Sequence, residues 1–285
     1  MLRYALHTRL APAVARSAQI RFVSTTTSTA KFTHSESTPG TESTSPKSTS
    51  PPLSRFWKTV SVGEGPAGYV INLDKRSLKT PDGQTLVVPV DRRILALLVA
   101  AEWDSQTKVL KPHSLPLTSL VTRSIDGLRD AKQRQVVIDQ LSRYLETDAI
   151  CLHQSYPQHL VELQQRYWSP VIQRIEQAYG VTLSTTDNLF GMSQSQATAE
   201  RLGQVVQEFS PLKLAAFERA VLHTKSFLLG LALVNRMISA EEAAKAAQVE
   251  VLSQIKQWGY VEDTHDVNDE EMKRMLGAVS CTLMG

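Results

Sequence analysis

The chemically richest stretch of the sequence is Glu262 to Asp266, where Glu262, Asp263, His265 and Asp266 put four ionisable side chains within five positions. Carboxylates and an imidazole bind divalent cations and move protons. A metal-dependent hydrolase built on Glu262, His265 and Asp266 is therefore one reading. The spacing weakens it. It is the spacing of a loop, no histidine pair recurs on one helical face as in H-E-x-x-H, and His113, His153, His159 and His223 are scattered. No metal and no cofactor is expected. The other chemistry open to these residues is recognition, since charges at the rim of an interface steer and select a partner. Glu102 and Asp104, flanking Trp103, and Glu250 extend the same set. The candidate partner contacts are thus Glu250, Glu262, Asp263, His265, Asp266, Glu102 and Asp104.

Catalytic machinery of other kinds is missing from the sequence, and no catalytic residue is assigned. There is no G-x-S-x-G elbow, Rossmann fingerprint or Walker motif. The glycines of Gly63 to Gly68 (GEGPAG) lack the Lys-Ser/Thr and the following helix that a phosphate loop needs. Cys151 follows Glu146 and Asp148, which raise a thiol pKa rather than activate it. Cys151 and Cys281 lie far apart and in no paired motif, so neither a disulfide framework nor a cysteine zinc site is expected.

The elements that would position the acids can be read from local signals. Ser239 and Glu242 form a capping box that opens a helix ending at Gly259. Along it Ala240, Ala244, Ala247, Val251, Ile255 and Trp258 fall on one stripe, read as a core face of small residues that lets another helix come close. Glu250 then lies on a flank with Ala243, Ala246 and Gln257, and Trp258 and Trp103 are both expected to be buried. Upstream, Asp91 is expected to cap a helix whose stripe is Ile94, Leu97, Leu98 and Ala101 and whose end carries Glu102 and Asp104.

Between these stretches, Pro116 starts a short helix to Ile125, and Asp130 starts another with Val137, Leu141, Tyr144 and Leu145 in register. Pro157 opens a long helix to Gly180 that Pro170 should kink or split. Helices from Ser195 to Phe209 and from Ser210-Pro211 to Met237 come next. The second is apolar nearly all round from Phe227 to Val234, so it is expected to be central. Residues 56–62 and 69–73 read as strands, and residues 77–90 as a hairpin around Pro81-Asp82-Gly83. The fold class expected is α+β: a small N-terminal antiparallel β domain, residues 54–90, followed by a larger orthogonal α-helical bundle domain, residues 91–285.

The first 53 residues carry no such pattern. Residues 1–23 hold Arg3, Arg9, Arg16 and Arg21 and no acid, the pattern of a mitochondrial presequence. Residues 24–53 are a Ser/Thr/Pro-rich linker, too poor in aliphatic residues to fold, and are expected to be disordered. The net charge of +3 belongs to the leader: without its four arginines, 27 basic residues face 28 acidic ones, a net of −1. That argues against nucleic-acid binding. The longest aliphatic run, Phe227 to Val234, is too short to span a bilayer. A mitochondrially targeted monomer is expected.

Several segments together carry a family resemblance. Arg55-Phe56-Trp57, Asp74 to Pro81 (DKRSLKTP), Ala101 to Gln106 (AEWDSQ), Pro116-Leu117-Thr118, Glu146-Thr147-Asp148, Trp258-Gly259 and Glu262 to Val267 (EDTHDV) run in order through residues 54–280. The chain resembles the mitochondrial F1-ATPase assembly chaperones that act on the alpha subunit, the second type of F1 assembly factor. One departure is Val251, where a second acid beside Glu250 is the family expectation. The resemblance implies a matrix chaperone, not an enzyme. It would bind the unassembled alpha subunit and cover its subunit interface until the alpha–beta hexamer forms.

Overall fold

The computed structural model describes residues 54–188 and 190–284; the expected presequence and linker lie outside them. Four strands come first: β1 (Val60–Gly65), β2 (Gly68–Leu73), β3 (Arg76–Ser77) and β4 (Val87–Val88). The central strand is β2. One of its edges pairs antiparallel with all of β1, and its other edge is shared by β3 at Asn72–Leu73 and β4 at Tyr69–Val70. The first strand is shifted from the sequence reading: it starts at Val60, not Phe56, and runs through Gly65. Two glycines make that possible because a hairpin turn at Pro66-Ala67 lets Gly65 pair with Gly68. Gly68 has φ +142, and a Cβ there would lie 2.1 Å from the carbonyl oxygen of Val88. Only glycine lets β4 come this close.

Eleven α-helices complete the chain among the described residues. They are α1 (Arg93–Asp104), α2 (Pro116–Asp126), α3 (Ala131–Glu146), α4 (Gln158–Tyr167), α5 (Ser169–Tyr179) and α6 (Gln196–Gln207). Then come α7 (Pro211–Thr224), α8 (Phe227–Val234), α9 (Ala240–Ala247), α10 (Val249–Trp258) and α11 (His265–Thr282). The architecture is α+β, and the sheet and helices share one continuous apolar core.

Most helix starts obey local chemistry. The side chains of Asp130, Ser195 and Ser210 each accept from the backbone N–H three residues on. Pro170 separates α4 from α5, and Gly180 ends α5 in the left-handed region at φ 65.

The structure corrects four helix readings. The first is α1. Asp91 does not cap it; the N-cap is Arg92, with no side-chain bond. Its buried residues are Leu95, Ala96 and Val99, while Ile94 is 42% and Leu97 46% exposed. The run ILALLVAA is apolar on nearly every side, so periodicity alone gives no unique phase, and packing on β1 and β2 chooses it.

The second correction is a break at Lys225-Ser226, which divides the expected single helix into α7 and α8. Lys225 sits at φ 57, and the Ser226 side chain accepts from Leu229 N. The third is a break at Gln248 (φ −112, ψ 16), which divides the Ser239 helix into α9 and α10. The fourth is α11, which has no counterpart in the sequence reading although Met272, Leu276, Val279 and Leu283 recur at helical spacing.

Helix α8 is the centre. All eight of its residues are buried. Phe227 meets Phe217 of α7 edge-on, ring centroids 5.1 Å apart. Gly230 lets α7 approach: a Cβ there would lie 2.7 Å from Val221 Cγ2. Asp148, fully buried and far off in sequence, accepts from Leu228 N at 2.9 Å and from Ile150 N at 3.2 Å. It closes the N-terminus of α8, where a negative charge complements the helix dipole. Burial nevertheless pushes its pKa up to about 6, against bonds from Ser226, Leu228 and Ile150 that pull it down.

Candidate docking site

The Ser239 capping box forms as its residues require: Glu242 N donates to Ser239 Oγ at 3.1 Å, and Ser239 N donates to Glu242 Oε2 at 2.7 Å. Beyond the box the chain does not continue as one long stripe, because the break at Gln248 resets the helical phase. Ala243, Ala244 and Ala246 of α9 face the core, and in α10 only Val249 and Ser253 do. Ser253 lies against α4, where its carbonyl meets His159 Nε2 at 3.1 Å. The flank assigned to Ala243 and Ala246 is therefore core. The residues expected to be core, Ala247, Val251 and Ile255, are only partly covered.

They line a groove. Ala244, Ala247, Val251, Leu252 and Ile255 from α9 and α10, Met272 from α11, and Tyr167, Tyr260 and His265 enclose about 450 Å³. Polar residues form its rim. Lys245 is held by Glu241 at 2.7 Å and Lys273 by Asp269 at 2.7 Å and Glu270 at 3.1 Å. These bonds lower the pKa of Glu241 and raise those of Lys245 and Lys273. Trp258, expected to be buried, is 72% exposed at the end of α10. Tyr260, Val261 and Val267 beyond it are also exposed. Exposed apolar patches rimmed by polar residues are candidate interaction surfaces.

The seven sequence candidates separate on the structure. Glu262, Asp263, His265 and Asp266 do share one turn and the first turn of α11. His265 lines the groove. Its Nδ1 accepts from Val261 N at 3.0 Å, and its ring meets that of Tyr260 edge-on at 5.3 Å. Asp263 adopts φ 62, a left-handed position that aspartate tolerates. Desolvation, then the nearby charges of Asp266, Asp269 and Glu262, raise the Tyr260 pKa. Glu250 is exposed in the first turn of α10. At about 100° per residue it points roughly 120° away from the line through the groove positions Val251 and Ile255, so α10 does not bring it to the other acids.

Glu102 and Asp104 belong to another region. Both carboxylate oxygens of Glu102 are engaged by the start of α2, accepting from Leu117 N at 2.7 Å and from Thr118 N at 2.9 Å and its Oγ1 at 2.7 Å. Burial raises its pKa against those bonds. Glu102 is thus a cap supplied from another helix and holds α2 on α1, which leaves little of it for a partner. Trp103, half-buried, donates its Nε1 to Thr118 Oγ1 at 3.0 Å. Asp104 is exposed and meets Arg55 at 3.4 Å, while Arg55 Nη1 also donates to the Asp104 carbonyl.

Among the described residues, no three His, Cys, Asp or Glu side chains come together in a way that could hold a metal ion. Burial, and then Asp148, push the Cys151 thiol far up, so it is no nucleophile. No described helix is long and apolar enough to cross a membrane. The groove residues Leu252, Tyr260 and Met272 escaped the sequence reading. Of these, Met272 had a signal in its helical spacing with Leu276 and Val279.

The scaffold is α+β, and the groove on its surface is largely apolar with a charged rim. Comparison with known proteins gives the class. Residues 54–176 match the family model for the ATP12 chaperone protein. The mitochondrial atp12 protein of Schizosaccharomyces pombe is 34% identical over 236 residues, covering 80% of this chain and 81% of that one. The mitochondrial ATP12 protein of Saccharomyces cerevisiae is 30% identical over 263 residues, covering 78% and 81%. The crystal structure of Atp12 from Paracoccus denitrificans superposes with a TM-score of 0.69 at 26% identity, over 81% of this chain and 95% of that one. A structure from Agrobacterium tumefaciens does so with 0.72 at 29%, over 81% and 85%. The chain belongs to the ATP12 chaperone family. It is a mitochondrial chaperone and not an enzyme.

Proposed function

We propose that this chaperone acts in the mitochondrial matrix on F1-ATPase assembly, binding the unassembled alpha subunit and shielding its subunit interface until the alpha–beta hexamer forms. Family membership supports the assembly role. The observation that carries the docking role is the groove lined by Val251, Ile255, Tyr260, His265 and Met272, with exposed Trp258, Val261 and Val267 and the acids Glu262, Asp263 and Asp266 next to its lining residues in the sequence. An unassembled subunit exposes apolar area that its partner later covers, and such patches aggregate when left open. A small apolar contact rimmed by charge holds a client selectively yet releases it to a tighter partner. In this reading Glu262, Asp263, His265 and Asp266 touch the client at the groove, while Glu250 and Asp104 touch it outside the groove. The metal-hydrolase reading of Glu262, His265 and Asp266 has no support in the geometry.

A pull-down from matrix extract with the full chain tests the assignment. The free alpha subunit should be the main protein recovered, and the chaperone should be absent from the finished ATP synthase. Recovery of assembled enzyme instead of free alpha would refute it.

A further inference from the structure

Helices α10 and α11 are consecutive, separated only by residues 259–264, yet they hardly touch. Helix α10 packs on α4, and α11 packs on α9, α7 and α2. The pair splays, and the opening between them is the groove. Each helix turns an unpaired half-face into it: Val251 and Ile255, four apart, from α10, and Asn268 and Met272, four apart, from α11. Side chains four apart lie one above the other on a helix, so both walls are ridged like the faces of a helix bundle that lacks one member. The floor carries Ala244 and Ala247, small enough for the backbone of that member to come close. An amphipathic helix laid in a groove is the recognition mode that matches this shape.

Charge selects the kind of helix. The two lysines on the rim, Lys245 and Lys273, are already held by Glu241 and by Asp269 and Glu270. Glu262, Asp263 and Asp266, at the Tyr260 end, make no ion pair among the described residues. That end therefore attracts cations and repels acids.

We infer that the α10–α11 groove receives an amphipathic helix of the F1 alpha subunit, its apolar stripe against Val251, Ile255 and Met272 and its lysines or arginines beside Glu262 and Asp266. The identity of the client rests on the function proposed above; the chemistry of the groove does not.

Trp258, exposed two residues before Tyr260, reports occupancy by its fluorescence, since Trp57 and Trp168 are buried and Trp103 half-buried. The probes are two synthetic helices of about 15 residues, roughly 22 Å long. Both carry a leucine stripe, one with lysine and arginine on its flank and one with glutamate, and the isolated alpha subunit is the third probe. The full chain should bind the basic peptide with a blue shift of Trp258 emission and leave the acidic one free. Ala247→Phe and Val251→Phe, which fill the groove without adding a second fluorescent reporter, should weaken both the basic peptide and alpha about tenfold or more. The double substitution Glu262→Lys and Asp266→Lys lies on an exposed turn that the core does not use. It should reverse the peptide preference with the fold intact.

Peptide and alpha binding that ignores all these substitutions overturns the inference and leaves the client assignment standing. Substitution-sensitive peptide binding by a protein that does not capture alpha overturns the client assignment and upholds the groove chemistry.

Discussion

Helices α8 and α10 are close in sequence and similar in length, and the protein uses them in opposite ways. Every residue of α8 is buried, and its N-terminus is closed by Asp148 from far upstream. Only Val249 and Ser253 of α10 are buried, and no side chain caps it. An apolar helix surrounded on all sides contributes stability and nothing else. A helix covered on one side only leaves apolar area for a partner, at the expense of local stability. Helix α8 holds the fold together, and α10 is left half-covered.

The contrast breaks most visibly at Phe227. Phe227→Ala should cost about 3–5 kcal/mol, because it empties space between α7 and α8 that neighbours cannot refill. Chemical denaturation measures it, and a loss as small as that of a surface residue would mean that α8 is not the centre.

Asp148 sharpens the same contrast through pH. Its pKa is raised from 3.8 to about 6 in the fold, so the fold favours the protonated acid. The sign is fixed by that direction: its contribution is fully present below the unfolded value of 3.8 and is lost as pH rises through about 6. The whole step is about 3 kcal/mol. Asp148→Asn cannot titrate, so its stability relative to the parent should improve steadily from about pH 4 to about pH 7. A difference that stays flat over that range would show that Asp148 is not desolvated as described.

Gly230 tests the closeness of α7 and α8. Alanine is the better helix former by about 1 kcal/mol. Its methyl group would press on Val221, however, and Gly230→Ala should still destabilise by about 1–3 kcal/mol. A gain in melting temperature would mean that the two helices can separate at no cost.

On the docking side the expected effects on stability are the smallest. Trp258→Ala should leave stability within about 0.5 kcal/mol of the parent. It should weaken alpha binding by about 2 kcal/mol, roughly thirtyfold. Glu250→Gln removes no hydrogen bond recorded among the described residues and should leave the melting temperature unchanged. Any effect of Glu250 on client binding would then be direct, and a melting temperature lowered in step with binding would make it a structural acid.

The sequence alone determined what depends on neighbours along the chain. The capping box at Ser239 and Glu242, the caps at Asp130, Ser195 and Ser210, the split at Pro170 and the left-handed end at Gly180 involve bonds spanning three or four residues. The all-apolar character of α8 announced its central place. The ordered run of DKRSLKTP, AEWDSQ and EDTHDV carried the family.

Tertiary structure decided whatever depends on which faces meet. The phase of α1 was set by the sheet, because its apolar residues offered several faces. The break at Gln248 turned Val251, Ile255 and Trp258 from an expected core stripe toward solvent, and only the burial of Val249 and Ser253, with Ser253 held against α4, reveals it. Glu102 and Asp104, two residues apart, took different roles because the start of α2 lies over one and not the other. Burial is a property of the assembled chain, and a side chain's type records only what it tolerates, not what comes to cover it.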